Sequence, residues 1–157
     1  MNQPSTDAFS SDTGSVAATQ LKAAEEVPAD DRIDVALIQM VSAPDLELNL
    51  VRAEALIKQA VALGAELVSL PEYFCLLGRR DTDKVSLREP WGEGPIQQFL
   101  ADVATRYKIW LAAGTIPLQC RDPRRVRNSQ LMIDPQGKVR ARYDKIHLFG
   151  FQKGSER

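Results

Sequence analysis

Glu72 and Lys145 carry the strongest chemical meaning in this chain. Glu72 follows Leu67-Val68-Ser69-Leu70-Pro71, and Lys145 follows Val139-Arg140-Ala141-Arg142-Tyr143-Asp144, so each stands just past a stretch of strand character. In open α/β sheets the working groups collect beyond the carboxyl ends of the strands. A carboxylate and an ammonium delivered to one end of a sheet can serve as a general base and an anion stabiliser. Taken singly, Glu72 could cap the turn after Pro71 and Lys145 could pair with Asp144 at the surface. As a pair they ask for a nucleophile. Cys75 lies close after Glu72, but Phe74, Leu76 and Leu77 surround it, which is the setting of an inert packing thiol. Cys120 sits in an Arg-rich loop and is expected to be exposed and incidental. His147, the one histidine, reads as a satisfied structural side chain or part of a pocket wall.

The elements that must position these residues are legible from periodicity. Residues 33–40 form a short, nearly continuous apolar run, the mark of a strand covered on both faces. Asp45 can cap a helix in which Leu46, Leu50, Ala53, Ile57, Ala60 and Val61 recur at helical spacing, with Gly64 closing it. Residues 66–70 predict a second buried strand. A long connection from Pro71 to Gly94 is too long for an idle turn and is expected to line a site. Pro95 suits the first position of a helix with the stripe Ile96, Phe99, Leu100, Val103, Ala104 and Tyr107. Residues 109–116 predict a third strand. Strands near 128–133 and 138–143 form a hairpin around Asp134-Pro135-Gln136-Gly137. In its second strand Val139, Ala141 and Tyr143 alternate with Lys138, Arg140 and Arg142, so one face should be dry and the other wet. The order β-α-β-α-β-β-β predicts a mixed α/β layer structure with parallel strands and a late antiparallel portion.

The chain has 157 residues, 44% hydrophobic and 26% charged, with a net charge of −1, a globular profile without a general bias toward nucleic acid or anionic lipid. Arg121, Arg124, Arg125, Arg127, Arg140 and Arg142 cluster locally, but no aromatic residues interleave, and a solvated loop and hairpin face account for them. Residues 1–31 are rich in Ser, Thr, Ala, Asp and Glu and read as a disordered tail, with the ordered domain spanning 32–157. No apolar run is long enough to span a bilayer, and the first residues lack the basic n-region and apolar core expected of a secretory signal. Two cysteines without metal-ligand spacing fit a reducing, cytoplasmic setting.

From about Ile33 onward the sequence resembles the N-terminal half of the carbon–nitrogen hydrolase (nitrilase) superfamily, nearest its Nit-like amidase branch. The residues that carry the resemblance are 35–40 (Val-Ala-Leu-Ile-Gln-Met), 64–72 (ending in Leu70-Pro71-Glu72) and 143–149 (Tyr-Asp-Lys-Ile-His-Leu-Phe), supported by Asn128 and the turn at 134–137. Leu118 departs from the pattern, since many relatives carry an acidic residue there. The resemblance implies an αββα sandwich, of which this chain would hold the N-terminal half, and a Glu-Lys-Cys triad. Glu72 would be the base that takes a thiol proton, and Lys145 would stabilise the tetrahedral oxyanion. The nucleophilic cysteine would follow the lysine, in a segment beyond Arg157. A second supporting glutamate would also follow the lysine, and Glu156 stands near that place. The implied substrate is a small amide or nitrile, no metal or organic cofactor is needed, and a homodimer is expected for the full-length protein. The competing expectation is a truncated, non-catalytic homologue that serves only as a dimerisation partner or is a non-functional product.

Overall fold

The computed structural model describes residues 31–80 and 82–147. The expected tail, Asp31 excepted, lies outside these residues, as do Leu148, Phe149 and Glu156. The elements in chain order are β1 (Val35–Leu37), α1 (Leu46–Ala62), β2 (Leu67–Ser69), α2 (Asp83–Ser86), α3 (Pro95–Tyr107), β3 (Trp110–Ala112), β4 (Ile116–Gln119), β5 (Val126–Ile133) and β6 (Val139–Asp144).

Helix α1 begins where its cap predicts. The Asp45 Oδ1 accepts the Leu48 N–H at 2.8 Å, which satisfies one of the orphan donors of the first turn. Its apolar stripe buries Ala53, Ile57 and Ala60; full burial of one side chain such as Ile57 contributes about 1.5–3 kcal/mol. Helix α3 has Pro95 at its start, as expected, and buries Ile96, Leu100, Val103 and Ala104. Its capping group comes from elsewhere in the chain. Glu89, only 4% exposed, accepts the backbone N–H groups of Ile96 and Gln97 on its two carboxylate oxygens. The positive end of the helix offsets the cost of burying that charge.

Strands β1, β2 and β3 pair in parallel, and β5 runs antiparallel to β3, β4 and β6. Helices α1 and α3, which cross between successive parallel neighbours, pack against each other on the same face of the sheet. There Val68, Leu111, Leu131 and Ile133 meet Ile57, Ile96, Leu100 and Val103 in one core. This is one helical layer on one mixed sheet, in keeping with the expected half of an αββα sandwich.

Three expectations are corrected. The third strand is not continuous over 109–116. It breaks after Ala112 and resumes as β4 at Ile116, because Gly114 takes a positive φ of 57°. Strand β1 is not covered on both faces, since Val35 is 51% and Leu37 80% exposed. The ladder explains this: Val35 aligns with Leu67 and Trp110, and Leu37 with Ser69, Ala112, Met132 and Ala141, all on the face opposite the helices. The apolar residues of β6 belong to no dry face either, as Val139 and Tyr143 are both exposed. Periodicity marks these residues as core-seeking, yet within the described residues nothing packs over them.

Candidate active site

Strand β2 ends at Ser69, and Leu70 continues its course by donating its N–H to the Ala112 carbonyl oxygen at 2.9 Å. The chain then turns over the break between β3 and β4. A Cβ on Gly114 would fall well inside contact distance of the Pro71 carbonyl oxygen and 2.8 Å from that of Leu70. The Tyr73 N–H is held by the Thr115 hydroxyl at 2.9 Å. Tyr73 itself takes a φ of 49°, uncommon for a residue with a side chain. Glu72 is thus carried on a tight turn whose shape depends on Gly114 and Thr115.

Lys145 is delivered from the other direction, at the end of β6. Its backbone N–H donates to the Asn128 carbonyl oxygen at 2.8 Å. The preceding Asp144 is anchored by Ser129 at 2.6 Å, Arg127 at 2.8 Å and Arg142 at 2.8 Å. The Lys145 ammonium then reaches the Glu72 Oε1 at 2.8 Å, across a separation of 73 residues. Asn128 completes the group by donating its Nδ2 to the same oxygen at 2.6 Å. The Lys145 hydrogen bond holds the Glu72 carboxyl below its ordinary value; burial opposes this, while the Asn128 amide and the charges of Lys145 and Lys84 add to it. Glu72 is therefore a carboxylate at neutral pH, able to accept a proton. Its side chain is 50% exposed and that of Lys145 31%, so the ion pair organises the site and adds little to stability.

Beside Tyr73 lies a cavity of about 140 Å³ lined also by Leu76, Leu77, Gly78, Arg80 and Lys84. It belongs to the connection that its length marked as a site wall. The Lys84 ammonium sits 4.7 Å from the centre of the Tyr73 ring. Burial, with the Glu72 charge adding to it, pushes the Tyr73 hydroxyl up to about 12, so it stays protonated.

The remaining candidates fall away from this group. Cys75 is fully buried, and burial pushes its thiol up to about 12. Cys120 is half-buried rather than exposed, its thiol 3.3 Å from the Asp122 carbonyl oxygen. In the folded protein a thiol-specific reagent at neutral pH should modify Cys120 at least roughly 100-fold faster than Cys75; equal rates would contradict the packing role of Cys75. His147 is exposed and makes no hydrogen bond among the described residues. Five of the clustered arginines pair with carboxylates: Arg124 and Arg125 with Asp122, Arg127 and Arg142 with Asp144, and Arg140 with Asp134. Among the described residues no cluster of three or more His, Cys, Asp or Glu could hold a metal ion, and no helix is long and apolar enough to cross a membrane. Asn128 supported the resemblance in the sequence, but its place beside Glu72 was not anticipated. Its neighbours Arg127, Ser129 and Gln130 are also polar, so nothing in the local pattern marked it as buried beside Glu72.

Comparison with known proteins gives this geometry its setting. The family model for carbon-nitrogen hydrolase matches residues 34–157. A deaminated glutathione amidase of Yersinia enterocolitica is 37% identical over 117 residues, covering 74% of this chain and 40% of that protein. Human omega-amidase NIT2 is 34% identical over 116 residues, covering 73% and 40%. Among solved structures, Saccharomyces cerevisiae Nit3, a member of branch 10 of the nitrilase superfamily, superposes with a TM-score of 0.65 at 31% identity, covering 73% of this chain and 44% of that one. The C. elegans NitFhit protein gives 0.64 at 31% identity, covering 78% and 30%. The chain thus spans about two fifths of the curated relatives it matches. With the family model matched from Asp34 to Arg157 and amidase relatives aligned over the same region, the chain belongs to the carbon-nitrogen hydrolase family.

Proposed function

We propose that this chain carries the general base and the oxyanion-stabilising lysine of an amidase that cleaves the C–N bond of a small amide or nitrile. The observation that carries the reading is the contact between Lys145 Nζ and Glu72 Oε1 at 2.8 Å. It joins two residues whose types suit the two halves of an acyl transfer. In this reading the nucleophile is a cysteine in a segment beyond Arg157. Glu72 takes the thiol proton while sulfur adds to the amide carbon, and Lys145 faces the oxygen that gains the negative charge. Collapse breaks the C–N bond, and the protonated Glu72 returns its proton to the departing amine. Water, deprotonated by Glu72, then hydrolyses the thioester. Substrates of the kind named for the relatives, deaminated glutathione and ω-amides, are the first to try. The reading includes a homodimer in the cytoplasm.

A second reading has one observation in its favour. Val35, Leu37, Trp110 and Tyr143 leave exposed apolar surface on the sheet and its edge strands, and such a surface seeks a partner. A non-catalytic chain that associates through it is the alternative. The intact protein from native cells, captured with an antibody against residues 32–157, separates the two. The amidase reading expects a species well above 17.4 kDa that releases ammonia from small amides and is inactivated by thiol alkylation. A species of 17.4 kDa without amidase activity would establish the alternative.

A further inference from the structure

Asn128 is 2% exposed, and its two ends are treated differently. Its Nδ2 donates to Glu72 Oε1 at 2.6 Å. Its Oδ1 is buried without a hydrogen-bond partner among the described residues. A buried, unsatisfied acceptor costs free energy, and a strand could avoid that cost with an apolar residue of similar size. Rotating the amide by half a turn would not relieve it, because Oδ1 would then face the Glu72 carboxylate oxygen, acceptor against acceptor. The observed orientation is the one that gives Glu72 a donor. The backbone of the same residue accepts the Lys145 N–H at 2.8 Å, so Asn128 ties both ionic groups to β5.

The second observation concerns Glu72. Both donors, Lys145 Nζ at 2.8 Å and Asn128 Nδ2 at 2.6 Å, converge on Oε1. No described residue donates to Oε2. An oxygen that accepts two hydrogen bonds, one from a cation, is the poorer proton acceptor of the two. We propose that Asn128 is a positioning residue: it fixes the rotation of the Glu72 carboxylate so that Lys145 and Asn128 occupy Oε1 and Oε2 is the atom that takes the proton. The inference rests on the amidase reading for its catalytic meaning, while the contact itself does not depend on that reading.

Two consequences follow from losing the donor. The carboxylate rotates more freely, so fewer encounters with a thiol are productive, and the step that suffers is the chemical one. The anionic form of Glu72 also loses a hydrogen bond, which moves its titration upward. Asn128→Asp goes further, because it sets a second carboxylate against the first.

The test uses the protein with its native C-terminal sequence, in wild-type, Asn128→Ala and Asn128→Asp forms, with melting curves to establish folding. Asn128→Ser replaces the alanine variant if the latter does not fold. The first readout is the ¹³C carboxyl titration of Glu72, assigned by its absence from a Glu72→Gln sample. The second is steady-state amide hydrolysis. The expected result is an upward shift of the Glu72 titration in Asn128→Ala and a larger one in Asn128→Asp. It is joined by a fall in kcat of roughly 10–100-fold in Asn128→Ala, with KM changed less than about threefold. A residue that only supports the fold would lower the melting temperature and leave the Glu72 titration in place; that outcome overturns the proposal. If the wild type hydrolyses no amide, the functional reading fails, and the titration still decides the contact. If it does hydrolyse amides and Asn128→Ala matches it in both kcat and titration, the positioning role alone is overturned.

Discussion

If the amidase reading holds, Glu72→Gln in the catalytically competent protein is expected to lower kcat for amide hydrolysis by roughly 10²- to 10⁴-fold, the usual range for removing a general base. The substitution keeps the size and one hydrogen-bond acceptor for Lys145 and Asn128, so the turn at Pro71 should stay in place. What it removes is the carboxylate that, in the proposed mechanism, takes the thiol proton. Lys145→Ala should cost a comparable amount by a different route, roughly 10²- to 10³-fold, through loss of charge opposite the oxyanion. The double variant should be little worse than either alone, because a base without an oxyanion partner accelerates a step that no longer proceeds. Stability provides the control. Lys145 and the Asn128 amide hold the Glu72 carboxyl below its ordinary value in the fold. Its contribution to stability is therefore present above the unfolded value and lost as pH falls through the folded one. With the side chain 50% exposed that contribution is small. Wild type and Glu72→Gln should melt within a few degrees of each other at pH 7 and converge further in acid. Retention of full activity in Glu72→Gln, measured as ammonia release, would remove Glu72 from the mechanism.

The second large effect is structural. Gly114→Ala should destabilise the protein by about 3 kcal/mol or more and lower Tm by roughly 10 °C. Two causes add at this position. The φ of 57° is unfavourable for any residue with a Cβ. The new methyl would also press on the Pro71 and Leu70 carbonyl oxygens, which are backbone atoms and cannot rotate away. Gly92 separates the two causes. Its φ is 83°, but a Cβ there meets nothing within 4 Å, so Gly92→Ala should cost only about 1 kcal/mol. If both variants melt alike, the close approach at Gly114 has no energetic meaning. Because the atoms displaced belong to the turn before Glu72, the folded fraction of Gly114→Ala should also lose amidase activity. Gly92→Ala should not.

The local pattern was enough for much of this protein. Asp45, Pro95 and the apolar stripes of α1 and α3 act within one or two turns of helix, so their signals are written in neighbouring residues. The turn at 134–137 is of the same kind, and so are the strand ends after which Glu72 and Lys145 stand. Cys75 could be set aside as a nucleophile because its immediate neighbours already describe an apolar environment.

What the tertiary structure decided depends on residues far apart in the chain. The cap of α3 comes from Glu89 across a loop, and the broken third strand reflects the passage of Pro71 over Gly114. Neither leaves a periodic trace. The exposure of β1 and β6 was likewise hidden, because hydrophobic spacing reports which residues favour burial and not which surfaces meet them. The site shows the same division. The sequence singled out a carboxylate and an ammonium by type and position. Only folding brought them to 2.8 Å and set the buried Asn128 amide on the same oxygen, because hydrogen-bond direction is a property of three-dimensional approach.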